Sequence, residues 1–293
     1  MALRLSTGLR NKILGINTNL VTNGEFGTDF SGWSQLTGTT QRNAGTGALS
    51  STGFAECVNA GAAAAKFTNT SAITVKSNQL YKLTYYYQKP SSSGVAGKVT
   101  VGSTSGGSDI ISVVHDDTAG SWVKKEYVIR TGASQTALYL SFMTNTAVAS
   151  DQCYFDAISL VHAAASLQEI FYKGFLKIYS GAQPTSPNDV PSGTLLFTTY
   201  SDGTTAGLSF GETASGTIAK APGESWSSTA VATATAGWFR LTATGDTGAS
   251  STTEERIDGS VATSGSQLNM SSTSITSGAV QTISTFTITM PAE

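Results

Sequence analysis

The chain has 293 residues, 12% of them charged, and a formal net charge of −2. That length suits two domains, and so little charge among so much Gly, Ser, Thr and Ala suits short strands and tight turns rather than long solvated helices. No Lys/Arg cluster is present to neutralise a phosphate backbone, and no run of about 20 apolar residues is present to span a bilayer, so nucleic acid and membrane are both excluded as expected partners.

The opening MALRLSTGLRNKILG holds no apolar run of roughly 7 to 15 residues with a small-residue cleavage site, so it does not read as a secretory signal. Within residues 3–14, Leu5, Leu9, Ile13 and Leu14 recur at near-helical spacing and Gly15 is placed to end the helix. The apolar stripe is narrow, so this helix needs a surface to lie on. From about residue 17 the period becomes two. YKLTYYYQ (81–88), GKVTV (97–101), KKEYVIRT (124–131), ALYLSFMT (137–144) and CYFDAISLV (153–161) read as strands, with PSSSG and GSTSGGSD as turns. Alternation assigns Leu83, Tyr85, Tyr87, Val99, Val101, Tyr127, Ile129, Leu138, Leu140 and Phe142 to the core of a sandwich.

AAASLQEIFYKG (163–174) is a short helix-compatible stretch closed by Gly174. A second strand-rich region follows in FLKIYSG, TLLFTTY, WFRLTATG and VQTISTFTITMP, where Val280, Thr282, Ser284 and Phe286 alternate with Gln281, Ile283, Thr285 and Thr287. GDTGASSTTEER (245–256) is expected to be an exposed loop, with Glu254 and Glu255 in solvated pairing beside Arg256. Trp33 and Trp238 follow Gly at strand starts and are expected to be buried, whereas Trp226 in PGESWSS reads as a polar turn or a subunit anchor. Cys57 and Cys153 are too few for a disulfide framework and read as reduced, structural thiols.

Catalytic chemistry finds little to work with. His115 and His162 are the only histidines, so a metal site or a Ser-His-Asp site is hard to assemble, and no GxSxG, CxxC or phosphate-cradling loop occurs. His115 with Asp116 and Asp117 reads as a polar turn. Sugar binding needs less: exposed aromatic rings for apolar CH faces, plus a few polar groups for hydroxyls. Opposite the assigned core, alternation leaves Tyr86 and Tyr139, with Lys82, Gln88 and Arg130 on that side as the candidate glycan site. The competing reading packs the two tyrosines under a loop or against a neighbouring subunit.

Two resemblances place these elements. LVTNGEFGTDFSGW (20–33) with CYFDAISLV (153–161) resembles the carbohydrate-binding jelly rolls found beside glycoside hydrolases, through Asn23, Gly24, Phe26, Gly32, Trp33, Phe155 and Asp156. In that family an acid after the Phe helps the last-strand Asp to hold a structural calcium ion. Gly27 stands at that position here, so Glu25 or Asp29 would have to substitute beside Asp156. No other cofactor is expected. MALRLSTGLRN, GFLKIYSGAQPTSPNDVPSGTLL (174–196), AGWFRLTATGD, IDGSV and TISTFTITMP resemble a family of small phage structural proteins of unassigned role, whose helical start leads almost directly into the strand that is FLKIYSG here.

Together these imply an all-β chain: an N-terminal helix (1–16) packed with the C-terminal domain, an inserted carbohydrate-binding-module-like jelly roll (17–163) and a phage-type, β-sandwich-like domain (164–293) for particle attachment and oligomerisation. The expected role is a non-enzymatic virion structural protein, a capsid decoration, head fibre or tail-associated component made in the host cytoplasm. Its expected partners are other capsid or tail proteins, further copies of itself in a homo-oligomer such as a trimer, and cell-surface glycans bound weakly but multivalently. The alternatives are a cement or spacer protein without sugar binding, and an accessory domain of a polysaccharide-degrading enzyme.

Overall fold

The computed structural model describes residues 3–15, 17–45, 47–49, 52–90, 94–163, 166–214 and 216–289. The chain is almost entirely β and divides into two compact units, Thr18–Ala163 and a discontinuous one that joins Met1–Asn17 to Ala164–Glu293. Among the described residues no helix is long and apolar enough to cross a membrane.

Thr18–Ala163 is a jelly-roll sandwich of two antiparallel sheets. One has five strands in the order Trp122–Arg130, Leu80–Gln88, Gln152–His162, Phe54–Val58 and Thr39–Asn43. The other runs Trp33–Thr37, Lys66–Asn69, Ala137–Thr144, Gly97–Gly102 and Ile111–His115, with Ile73–Thr74 added beside Ala137–Thr144. Val/Tyr/Phe-rich runs with a two-residue period make the longer of these strands, which contribute alternate side chains to a shared core. Leu83, Tyr85, Tyr87, Val99, Val101, Leu138, Leu140, Phe142 and Phe155 are fully buried there, and Tyr127 packs against them partly exposed. A buried Leu or Phe of this kind contributes roughly 2 kcal/mol. Gly97 is needed for the fit, because a Cβ at that position would lie 2.5 Å from the Tyr87 ring. Cys57 and Cys153 face each other across paired strands as free, buried thiols.

His115 closes the edge of this core. It ends a strand and is 5% exposed, its Nε2 sharing a 2.5 Å hydrogen bond with the Tyr85 hydroxyl and its ring lying among Tyr85, Tyr87 and Tyr127. The polar-turn reading is therefore corrected. Asp116 and Asp117 do form the polar turn, but pair with Lys89 and Lys125 at 2.7 and 2.8 Å. Burial pulls the His115 imidazole down to about 4, with nearby Lys125 adding to the effect and Asp117 opposing it.

The second unit packs a seven-stranded sheet against two small ones. Arg4–Leu5, Arg256–Ala262, Ala234–Thr242, Phe175–Ser180 and Leu195–Thr199 run in that order, with Leu268–Asn269 and Ser274–Ile275 attached. Phe210–Ala214, Thr217–Lys220 and Thr287–Thr289 form one small sheet, and Trp226–Thr229 pairs with Val280–Ile283 in the other. The core lies between them, among Leu176, Ile178, Phe239, Leu241 and Ile257 on one side and Phe210, Trp226, Ile283, Phe286 and Ile288 on the other. The opposite face of the large sheet is polar yet closed. Arg240 grips Asp258 through two 2.7 Å bonds, Arg256 grips Asp246 at 2.6 and 2.7 Å, and both pairs are buried. Spare guanidinium N–H groups of Arg4, Arg240 and Arg256 donate to the carbonyls of Pro184, Asp189 and Pro187, tying down the proline-rich segment after Phe175–Ser180.

Several local expectations are corrected. Arg4 and Leu5 are extended and pair with Asp258 and Ile257, so the helix starts only after Ser6, whose hydroxyl accepts from the Leu9 amide, and spans Thr7–Ile13. Leu9 is buried, whereas Ile13 and Leu14 are exposed. The second helix is a single turn, Leu167–Ile170. The terminal strand breaks in two, Val280–Ile283 and Thr287–Thr289, which lets Ile283, Phe286 and Ile288 all reach the core. Segment 245–256 is not simply exposed, because Arg256 takes its partner Asp246 inward, and Glu255 is buried 3.9 Å from Lys12. Trp226 is a core residue, edge-on to Phe210, with its indole N–H donated to Glu224 at 2.7 Å.

Two predictions follow from this packing. An unfolded histidine gains its proton near pH 6.5 while folded His115 resists until about 4, so its stabilising contribution is complete above 6.5 and is lost as pH falls to 4. Urea denaturation at both pH values should show the wild type losing up to about 3 kcal/mol more than His115→Gln does over that interval. In the second unit, Asp258→Ala strands the buried Arg240 charge and should cost about 3–5 kcal/mol in the same measurement at neutral pH.

Candidate functional site

The outer face of the five-stranded sheet carries a row of rings and polar groups. With Tyr85 and Tyr87 in the core, Lys82, Thr84, Tyr86 and Gln88 must point outward from the interior Leu80–Gln88 strand. Strand register then aligns Trp122, Gln88, Tyr154, Glu56 and Gln41 in one row across all five strands. The neighbouring row carries Lys124, Tyr86 and Asp156.

The rings of the first row converge. Phe54, itself 4% exposed, has its centroid 4.7 Å from Tyr154 and 5.8 Å from Trp122, leaving the latter two half-exposed above it. Gln41 donates to the Glu56 carboxylate at 3.1 Å, and Gln88 donates to the Gly120 carbonyl at 3.1 Å. Burial, with the Glu56 carboxylate alongside, pushes the Tyr154 phenol above its ordinary value. Two side chains of this face also hold the connection between Thr39–Asn43 and Phe54–Val58. The Trp122 indole N–H donates to the Gly47 carbonyl at 2.7 Å, and the Leu49 amide donates to Asp156 Oδ2 at 3.0 Å. A β-bulge between Asp156 and Ser159, with Ala157 at φ 49°, aims the buried Asp156 at that connection.

The sequence-derived glycan candidates separate. Tyr86 and Gln88 belong to this face. Lys82 and Arg130 also point from it but lie toward its other end, six and eight residues along their strands from Gln88 and Trp122, or roughly 20 and 26 Å away. Lys82 is in an exposed ion pair with Glu126 at 3.6 Å. Tyr139 is on the other sheet, paired with Gly102 and opposite the core residues Leu138 and Leu140, so it cannot join Tyr86 in one site. Alternation gives a residue's side of its strand and is silent on which sheet the strand joins. Trp122 and Tyr154 were legible by the same parity, alternating with Ile129 and with Cys153 and Phe155. Phe54, Glu56 and Gln41 lie on strands that the sequence pattern did not reveal.

The calcium candidates do not assemble either. Asp29 accepts from Asn23 and from the amide and hydroxyl of Ser31, which with the more distant Arg42 hold its carboxyl below the ordinary range. Asp156 is committed to the amides of Leu49 and Ala157. Among the described residues no group of three or more His, Cys, Asp or Glu side chains converges, so Glu25, Asp29 and Asp156 are not gathered into a cation site. The oxygens that do converge there belong to the backbone and already receive Arg42: Nε donates to the Phe26 carbonyl at 2.6 Å, and one Nη to the carbonyls of Gly27 and Thr52 at 2.8 and 2.9 Å. A calcium ion does not fit beside a guanidinium on the same oxygens.

A separate cleft of about 460 Å³, lined by Val21, Thr22, Gly32, Asn69, Thr70 and neighbours, presents neither an aromatic ring nor a charge.

No family model matches the chain, and no curated protein matches it. Solved structures do. A family 16 carbohydrate-binding module is 20% identical over 49% of this chain and 100% of its own, at a TM-score of 0.38. The CBM22-1 xylan-binding domain from Paenibacillus barcinonensis is 17% identical over 51% of this chain and 97% of its own, at 0.39. The enzymatically active domain of tailspike protein 4 of bacteriophage CBA120 is 13% identical over 50% of this chain and 21% of its own, at 0.40. The jelly roll itself follows from strand pairing and core, which stand without these likenesses.

Trp122→Phe keeps a ring against Phe54 and removes the donor to Gly47. Amide exchange around Leu49 should quicken about fivefold, as one lost hydrogen bond implies; unchanged exchange measured by mass spectrometry would show that the indole does not hold this segment.

Proposed function

We propose that the chain is a non-enzymatic virion structural protein whose jelly roll binds glycans on the outer face of the five-stranded sheet. The observation that carries the binding reading is the row of Trp122, Gln88, Tyr154, Glu56 and Gln41. Half-exposed indole and phenol rings match the apolar CH face of a pyranose, and the carboxamides of Gln41 and Gln88 with the exposed Lys124 match its hydroxyls, while the buried Glu56 carboxylate holds Gln41 in place. The aromatic row itself carries no cation, which suits a neutral or mildly acidic polysaccharide held weakly at each copy and firmly by many copies. The virion reading is supported by the phage-like motifs of residues 1–11 and 174–196 and of the later strands. On that reading the discontinuous unit attaches to the particle and assembles with further copies.

The non-enzymatic reading is supported by what occupies the candidate acid/base groups. His115 is buried against Tyr85, and Asp116 and Asp117 are engaged by lysines. One observation favours a spacer instead: Gly47 and Leu49 reach over the same face, and Phe54 is already covered.

A glycan array probed with the full chain displayed multivalently separates the two. The binding reading expects captured glycans, with Trp122→Ala and Tyr154→Ala each weakening capture by up to about tenfold and Tyr139→Ala leaving it unchanged. Capture by no glycan would leave the spacer, and capture undiminished by Trp122→Ala and Tyr154→Ala would refute this face as the binding surface. Mass spectrometry of purified particles tests the virion assignment independently, and absence of the chain from them would refute it.

A further inference from the structure

From the same geometry we infer that Arg42 is a built-in cation that takes the place of a structural metal in the jelly roll, making the module calcium-independent and fixing the segment that borders the candidate binding face. Three main-chain carbonyls meet one guanidinium, Phe26 at Nε and Gly27 and Thr52 at one Nη, which the Thr52 hydroxyl also contacts at 3.0 Å, and Arg42 supplies the only cationic group with which they bond among the described residues. The Thr52 hydroxyl itself donates to the Gly27 carbonyl at 2.6 Å, so the cluster is knit together from both sides. Such an oxygen set attracts a hard cation, and a planar guanidinium serves it equally by donating several directed N–H bonds from a fixed fork.

The surroundings are shaped to this side chain. Phe26 is fully buried yet sits at φ 49°, a left-handed conformation unfavourable for a non-glycine residue, and its carbonyl accepts from Arg42. Gly53 lies flat against the guanidinium, and a Cβ there would come within 2.5 Å of Nε and 2.7 Å of both Cζ and the Phe26 carbonyl. Gly27 brings a carbonyl and no carboxylate to this cluster, so the charge that calcium favours in its ligands is not supplied there. From this anchor the chain runs through Leu49 and Gly47 to Asp156 and Trp122, so Arg42 acts on the candidate face as a positioning residue.

The inference stands on geometry alone and is tested without any glycan. Hydrogen exchange by mass spectrometry is followed in segments 23–31 and 43–54 of the full chain, in EDTA and in millimolar calcium chloride. Wild-type exchange and melting temperature should be the same in both. Arg42→Met should quicken exchange in both segments by at least about tenfold and lower the melting temperature by about 5 °C. Gly53→Ala, which displaces the guanidinium without removing it, should quicken the same two segments and serves if Arg42→Met does not fold. Calcium-slowed exchange of these segments in the wild type overturns the inference, and so does wild-type exchange in the variant that folds.

Discussion

The pleat of the Leu80–Gln88 strand is the constraint on which the jelly roll and its candidate site both depend. Leu83, Tyr85 and Tyr87 bury completely, and because successive side chains alternate, Lys82, Thr84, Tyr86 and Gln88 have nowhere to go but outward. The strand lies between Trp122–Arg130 and Gln152–His162, so its register also sets which residues of those neighbours share a row. A slip of one residue would expose the core tyrosines and bury Lys82, a loss of many kcal/mol that locks the pairing. Core and face are therefore one decision, and the rings of Trp122 and Tyr154 meet over Phe54 because the core demands it.

With so few charged residues in the chain, guanidinium groups are concentrated where irregular backbone must be fixed. Arg42 holds the carbonyls of Phe26, Gly27 and Thr52 in the jelly roll, while Arg4, Arg240 and Arg256 hold those of Pro184, Asp189 and Pro187 in the other unit. The device suits loops rich in Gly, Ser and Pro, which bury little apolar surface and leave carbonyls without partners. Arginine offers five donors in a rigid fork, so one side chain replaces several missing ladder bonds. The same logic explains one misread segment: the 245–256 stretch looks like solvated loop until Asp246 is seen as the buried partner of Arg256.

The all-β class, the five strands of the 81–161 region and most of their core residues were legible because a two-residue apolar period over eight or nine residues has few competing explanations. Short strands were not. Thr39–Asn43 and Phe54–Val58 carry Gln, Arg, Glu and Cys instead of a clean alternation, which hid Gln41, Phe54 and Glu56 from the candidate site. Tyr139 was paired with Tyr86 because parity along a strand says nothing about sheet membership, a long-range fact. His115 and Trp226 were read as turn residues from polar neighbours, yet each is buried with a hydrogen-bond partner, Tyr85 and Glu224, that lies outside any sequence window or gives it no signal. At the N-terminus, helical spacing of leucines was overridden at Leu5 by pairing with Ile257, a tertiary contact that outweighs local propensity.

The central claim is that the outer face of the five-stranded sheet is the surface that meets sugar, and the four tryptophan indoles report on it directly. Trp33 and Trp226 are in cores and Trp238 is buried against Tyr179 and Arg240, whereas Trp122 stands half-exposed in the aromatic row. In a 15N–1H spectrum of the full chain titrated with a neutral oligosaccharide chosen by array, the Trp122 indole resonance should shift progressively while the other three hold still. A ligand that binds and leaves Trp122 unmoved would place recognition elsewhere and contradict the account.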